Sequence, residues 1–179
     1  GFGVFAGAIK NNGVVKVLRV SGGAKFSRKD IEELENSAKI YGAKGLAWIK
    51  IVEFDNKKVK SICKGLSTTS DNFSYQGVPA EKLGEQLTKE IAEKCKAQAG
   101  DILLFAATDW NTACTSLGAV RITAAEKLEL LKDKENEFAF CWVTDFPMFE
   151  QDKETEEISA MHHPFTRPKK SDEKLLETE

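Results

Sequence analysis

Residues 21–34 read SGGAKFSRKDIEEL, and the fold of the first part of the chain follows from them. A glycine pair after a serine is a turn, and Ser27-Arg28-Lys29-Asp30 is a capping-box-like start, in which the Ser27 hydroxyl accepts an N–H of the first helical turn. A helix is predicted from there, because Ile31, Leu34, Ala38 and Tyr41 recur at three- and four-residue spacing and Gly42 supplies the backbone freedom that ends it. On the N-terminal side, FGVFAGAI (2–9) and VVKVLRV (14–20) are β-rich runs separated by Asn11-Asn12-Gly13, which reads as a hairpin. On the C-terminal side, GLAWIKIVEF (45–54) and KKVKSI (57–62) flank Asp55-Asn56, a second hairpin. The order is therefore β-β-α-β-β, which predicts an α+β fold, an antiparallel sheet with helices packed on one face.

Farther along, residues 65–77 are rich in Ser, Thr, Gly and Asn and carry no period, so they are read as a loop. A second helix is predicted after Pro79, with Leu83, Leu87, Ile91 and Cys95 on one stripe. DILLFAAT (101–108) is a short apolar strand, and Asp109 can cap a long helix with Leu117, Val120, Ala124, Leu128 and Leu131 inside. The charged run at 132–137 marks a domain boundary. FAFCWVTDF (138–146) is apolar on both faces, as a central strand would be. That strand needs a sheet larger than the chain supplies. Residues 1–136 are expected to form a self-contained core and residues 137–179 a poorly packed excursion.

The formal charge of −2, from 26 basic and 28 acidic residues, advertises no global attraction to nucleic acid. A local basic face at Lys57, Lys58, Lys60 and Lys64 stays open. Apolar runs are too short to span a bilayer. Cys63, Cys95, Cys114 and Cys141 lack a C-x-x-C pair and are read as free, buried thiols in a reducing compartment. The glycines at 1, 3 and 7 do not make a phosphate loop, since no strand precedes and no lysine-hydroxyl pair follows. The turn at Ser21-Gly22-Gly23-Ala24 could offer N–H groups to an anion, but glycine is needed there for geometry alone. The absent initiator methionine and the charged last residues suggest a piece of a longer polypeptide.

Both histidines of the chain, His162 and His163, stand in AMHHPFTRP (160–168). Three chemistries are open to them. Metal binding lacks a third nitrogen or sulfur ligand nearby, and the acids at 152, 154, 156 and 157 look like a solvated loop. Nucleophilic or acid–base catalysis needs a paired Ser or Cys that nothing local fixes. Recognition needs only an imidazole donating to a carboxylate or phosphate, a contact that protonation strengthens. Simple packing or capping by one histidine competes with all three.

WVTDFPMFE (142–150) followed by AMHHPFTRPK (160–169) closely resembles bacterial-type aspartyl-tRNA synthetase, and SGGAKFSRKDIEEL with YGAKGLAWIKI (41–51) resembles its GAD insertion domain. The resemblance implies a two-layer GAD insertion domain at 1–136 and, at 137–179, a segment returning to a class II catalytic domain. It also implies that His162, and less directly His163, contacts L-aspartate. For the parent it implies an ATP- and Mg2+-dependent aspartate–tRNA ligase, a cytoplasmic homodimer of protein biosynthesis that forms aspartyl-adenylate and passes it to aspartate tRNA. Neither a Phe-Arg-x-Glu word nor a closing Gly-rich segment with a terminal Arg is present, so the ATP site is incomplete. The chain alone is then expected to be inactive, to bind no cofactor or metal, to carry no catalytic residue, and to be free to exist as a monomer. The alternative is a free-standing GAD binding or scaffold module of the kind found in tRNA-dependent amidotransferase assemblies.

Overall fold

The computed structural model describes residues 2–53, 66–68, 73–134, 136–144, 147, 149–152, 155–161 and 169–177. They divide into two compact units, Gly1–Glu135 and Asn136–Glu179. The first is built on a five-stranded sheet, wholly antiparallel, in the order β1 (Val14–Val20), β5 (Ile102–Thr108), β2 (Ala47–Glu53), β4 (Phe73–Gln76), β3 (Leu66–Thr68). The apolar run 101–108 thus takes a central place, paired on both sides and buried on both faces.

Alternation along β5 sorts the core. Ile102, Leu104 and Ala106 face a layer made by α2 (Arg28–Ile40) and α5 (Trp110–Lys127), joined by Leu34, Ala38, Ala113, Val120 and Ala124. Leu103 and Phe105 point to the opposite face and pack with Ile49, Ile51, Ala80 and Ala92. An α+β antiparallel sheet with a helical layer is what the sequence leads one to expect. The second face is covered in addition, by the short helices α1 (Gly3–Lys10), α3 (Val78–Leu83) and α4 (Glu85–Lys94).

The capping box at Ser27 is present in full: the Asp30 N–H donates to Ser27 Oγ (3.2 Å) and the Ser27 N–H donates to the Asp30 carboxylate (2.8 Å). Helix α2 ends at Gly42 as predicted, with φ +90° and the Ala43 N–H reaching back to the Ala38 carbonyl. Asp109 caps α5 by accepting the Thr112 N–H at 3.2 Å. Leu131, predicted inside, is exposed in the turn beyond α5.

Three sequence expectations are corrected. The run predicted as a strand at 2–9 is instead helix α1, Gly3–Lys10 with Phe2 at its N-cap, and Asn11-Asn12-Gly13 closes that helix rather than a hairpin. Asn12 sits at φ +56°, and the Asn12 and Gly13 N–H groups bond the Ile9 and Ala8 carbonyls, the Schellman arrangement. Residues 65–77 contain strands β3 and β4, stabilised by the ladder they make rather than by any apolar alternation. The single helix predicted after Pro79 is two, because Gly84 at φ +83° interrupts it. The turn Asp55-Asn56 and the strand predicted at 57–62 lie outside the described residues.

Candidate functional site

In the second unit, strands β6 (Phe149–Gln151) and β7 (Ile158–Ala160) form an antiparallel hairpin. Its turn is closed by Asp152, whose carboxylate accepts the Thr155 N–H (2.8 Å) and whose own N–H donates to the Glu157 carbonyl (2.9 Å). Glu156 takes a left-handed conformation at φ +59° to complete it. Asp152 therefore serves the turn, while Glu156 and Glu157 are exposed, as a solvated loop requires. The hairpin delivers the chain to Met161, immediately before the two histidines. His162 and His163 themselves lie outside the described residues, as does the rest of 162–168.

Residues 138–144 differ from the predicted central strand. No ladder forms along them among the described residues, and Phe140 and Trp142 are each 95% exposed. Phe138 and Phe140 stack at 6.5 Å between ring centroids, on the side that i, i+2 spacing gives them. A strand needs a neighbour for its N–H and C=O groups, and none is described here.

The candidate anion site at Ser21–Ala24 is taken by the protein itself. Asp101, 5% exposed, accepts the Gly22 N–H (3.2 Å), the Gln98 N–H (2.9 Å) and the Arg19 Nε–H (2.7 Å). A fixed carboxylate beside the only positive-φ glycine of that turn repels a second anion. Gly23 is buried there, and a Cβ on it would strike Ile102. Sequence reasoning missed Asp101, although an acid wedged between Gly100 and four apolar strand residues was the available signal. The glycine-rich start is helix α1 and offers no loop for phosphate.

The helices facing one another across α2 and α5 are tied by charge. Lys127 donates to Asp30 (2.9 Å) and to Glu33, and Ser37 and Thr123 share a hydrogen bond of 3.0 Å. Hydrogen bonds from Ser27 and then Lys127 hold the Asp30 carboxyl well below the usual carboxylate range. The bond to Glu33, then that to Asp30, raises Lys127 above an ordinary lysine. Lys50 donates to the Phe26 carbonyl, and its partial burial lowers its pKa. These contacts tie α2 to α5 and the turn at Phe26 to the sheet.

Among the described cysteines, Cys95, Cys114 and Cys141 are free, but Cys114 and Cys141 are exposed, against the expectation of burial. Burial pushes the Cys95 thiol up. Among the described residues no group of three His, Cys, Asp or Glu could hold a metal ion, and no helix is long and apolar enough to cross a membrane. The lysines at 57, 58, 60 and 64 lie outside the described residues.

Two concavities in the first unit were not anticipated. One, of about 380 Å3, opens at the end of the sheet beside Phe5, Trp48, Pro79 and Thr108. The other, of about 760 Å3, is a groove between α1 and α4.

The residues that build most of the antiparallel sheet and its helical layers match one family. The family model of the GAD domain matches residues 5–117, well over half of the chain. The chain belongs to the GAD domain family. The GAD domain here covers α1 through the first half of α5 and so lies wholly in the first unit. The chain is also similar to the aspartate–tRNA(Asp/Asn) ligases of Bacillus cytotoxicus (42% identical) and Bacillus mycoides (41%), and to the aspartate–tRNA ligase of Macrococcus caseolyticus (40%). Each match covers 99% of this chain and 27% of the relative. The chain thus spans about a quarter of the length of those ligases, and beyond the GAD domain the likeness runs on through the second unit.

Proposed function

We propose that the chain is a working part of an aspartate–tRNA ligase, with residues 1–136 as the GAD insertion and 137–179 as the segment returning to the catalytic domain. The observation that carries this reading is the reach of the similarity: it covers 99% of the chain, past the end of the GAD match at Leu117. A free-standing GAD module has no need of the words WVTDFPMFE and AMHHPFT. The exposure of Phe140 and Trp142 supports the same division, since such side chains are buried when a strand gains neighbours.

In this reading His162 donates a hydrogen bond to a carboxylate of L-aspartate, with His163 beside it in a supporting place. The two carboxylates of aspartate suit a donating or cationic imidazole, whereas the neutral amide of asparagine gains less from it. Pro164 favours extended backbone at His163, which restricts the loop. When bound, ATP and Mg2+ would supply the activated phosphate and its charge neutralisation. In the same reading the groups that hold ATP and Mg2+ belong to the remainder of the enzyme. The transfer of aspartate to tRNA, the homodimeric state and a cytoplasmic location belong to the whole ligase in the same reading.

The test is His162→Ala in the full-length ligase, followed by aspartate-dependent pyrophosphate exchange. Loss of a charge-assisted hydrogen bond of about 1.5–3 kcal/mol raises the aspartate KM by roughly 10- to 100-fold and leaves the ATP KM in place. An unchanged aspartate KM would remove His162 from the site. The purified chain alone should show no exchange.

A further inference from the structure

On the sheet face away from α2 and α5, the helical layer has a gap. Its floor is Val15, Val17 and Phe105, one wall is Phe5 and Ile9 of α1, and the other is Leu87 and Ile91 of α4. The opening holds about 760 Å3, within the span of sites that bury a substantial ligand. Its sides are two helices lying on one sheet, the setting in which a third helix packs at 8–10 Å from its neighbours.

The rim is basic. Lys10 and Lys94 stand on the two walls, no Asp or Glu lines the groove among the described residues, and neither lysine is paired with a described carboxylate. An apolar floor under two ammonium groups that no described carboxylate pairs calls for an occupant that is apolar on one side and acidic along its borders. Unpaired charge around an apolar centre is also the anatomy of a separable interface, whereas permanent contacts are more uniformly apolar.

We propose that the groove between α1 and α4 seats an amphipathic helix of a partner protein, with apolar residues at i, i+3, i+4 and i+7 and carboxylates on its flanks. The apolar stripe enters between Ile9 and Leu87 and rests on Val17 and Phe105, while the flanking acids meet Lys10 and Lys94. This docking needs nothing from the aspartate loop and stands whether or not the ligase reading does.

The probe is a fluorescein-labelled, helix-stapled peptide of about four turns with that leucine spacing and glutamate borders, titrated by anisotropy. Its counterpart with lysine borders and a medium-chain fatty carboxylate are run beside it, against both the 179-residue chain and the longer polypeptide. The acidic peptide is expected to bind both proteins at least about tenfold more tightly than the lysine peptide, and K10E/K94E should invert that order. Ile9 and Leu87 are 59% and 45% exposed, so I9E and L87E should leave the circular dichroism spectrum intact while weakening binding by roughly 30-fold or more. Four results would overturn the proposal. They are equal binding of both peptides, binding of the fatty carboxylate alone, no binding at all, or binding to the short chain only, which would show a segment of the longer polypeptide in the groove.

Discussion

Asp101 should be the most sensitive polar position in the first unit. Its carboxylate is 5% exposed and gathers three donors from three stretches of chain: Arg19 on the edge strand β1, Gly22 in the turn toward α2, and Gln98 after α4. Asp101→Ala leaves the two backbone N–H groups without their acceptor, at about 1–3 kcal/mol each when water cannot replace it. The Arg19 side chain is 30% exposed and can turn to solvent, so its share is smaller, about 0.5–1 kcal/mol. The expected cost is about 3–5 kcal/mol, in line with breaking a buried ion pair from one side. Asp101→Asn keeps the shape, but one of its two positions becomes an NH2 group facing a donor, and it should cost about 1.5–3 kcal/mol. Arg19→Met should cost about 1 kcal/mol. Urea unfolding followed by far-ultraviolet circular dichroism measures all three, and a double-mutant cycle isolates the Arg19–Asp101 coupling. If Asp101→Ala loses less than about 1 kcal/mol, the three bonds do not hold the unit together.

Gly77 has φ +140° and lies against the Trp48 carbonyl, which a Cβ would strike. Gly77→Ala is therefore expected to lower stability by roughly 2–4 kcal/mol in the same urea assay, where a neutral change would contradict that geometry. The depressed Asp30 carboxyl gives a pH dependence of fixed sign: its contribution is fully present above the ordinary carboxylate value and is lost as pH falls from about 4 toward the lowered one. Lys127, raised by the same cluster, contributes below the ordinary lysine value and loses that contribution as pH rises through its own. Asp30→Asn should flatten the acid limb of a stability–pH profile, and an unaltered limb would place the effect elsewhere. Thiol titration of the native chain should show Cys114 and Cys141 reacting promptly and Cys95 slowly, gaining rate only as pH rises; prompt labelling of Cys95 would mean the wall of the groove opens freely.

What the sequence made legible was local chemistry. The Ser27 box, the Gly42 stop and the Asp109 cap are each decided by atoms within a few residues, and each is found in place. The misread elements are those where one local signal serves two structures. Asn11-Asn12-Gly13 suits a hairpin turn and a Schellman cap equally, since both need a left-handed residue. What separates them is Phe5, which packs on Phe105 at 5.3 Å, a contact a hundred residues away in sequence. Strands β3 and β4 were invisible for a related reason: at the far edge of the sheet their ladder bonds decide the conformation. The order β1-β5-β2-β4-β3 places the fifth strand between the first two, and no pattern within a strand encodes that.

The candidate site was legible only as wording. An imidazole pair before a proline is compatible with several chemistries, and the residues that would choose among them are not neighbours in this chain. The run 138–146 carries a physical signal that the histidines lack. It is apolar on both faces in sequence, and in the structure Phe138, Phe140 and Trp142 stand in solvent. Burying three aromatics of roughly 150–250 Å2 each at about 25 cal/mol per Å2 is worth on the order of 10 kcal/mol, comparable to the whole stability of a domain. A free module would gain nothing by leaving that on its surface, because such a face invites aggregation. A neighbouring domain that covers Phe138, Phe140 and Trp142 would draw on it. The aromatic face therefore calls for a neighbour on physical grounds, whereas the histidines are singled out by their wording alone.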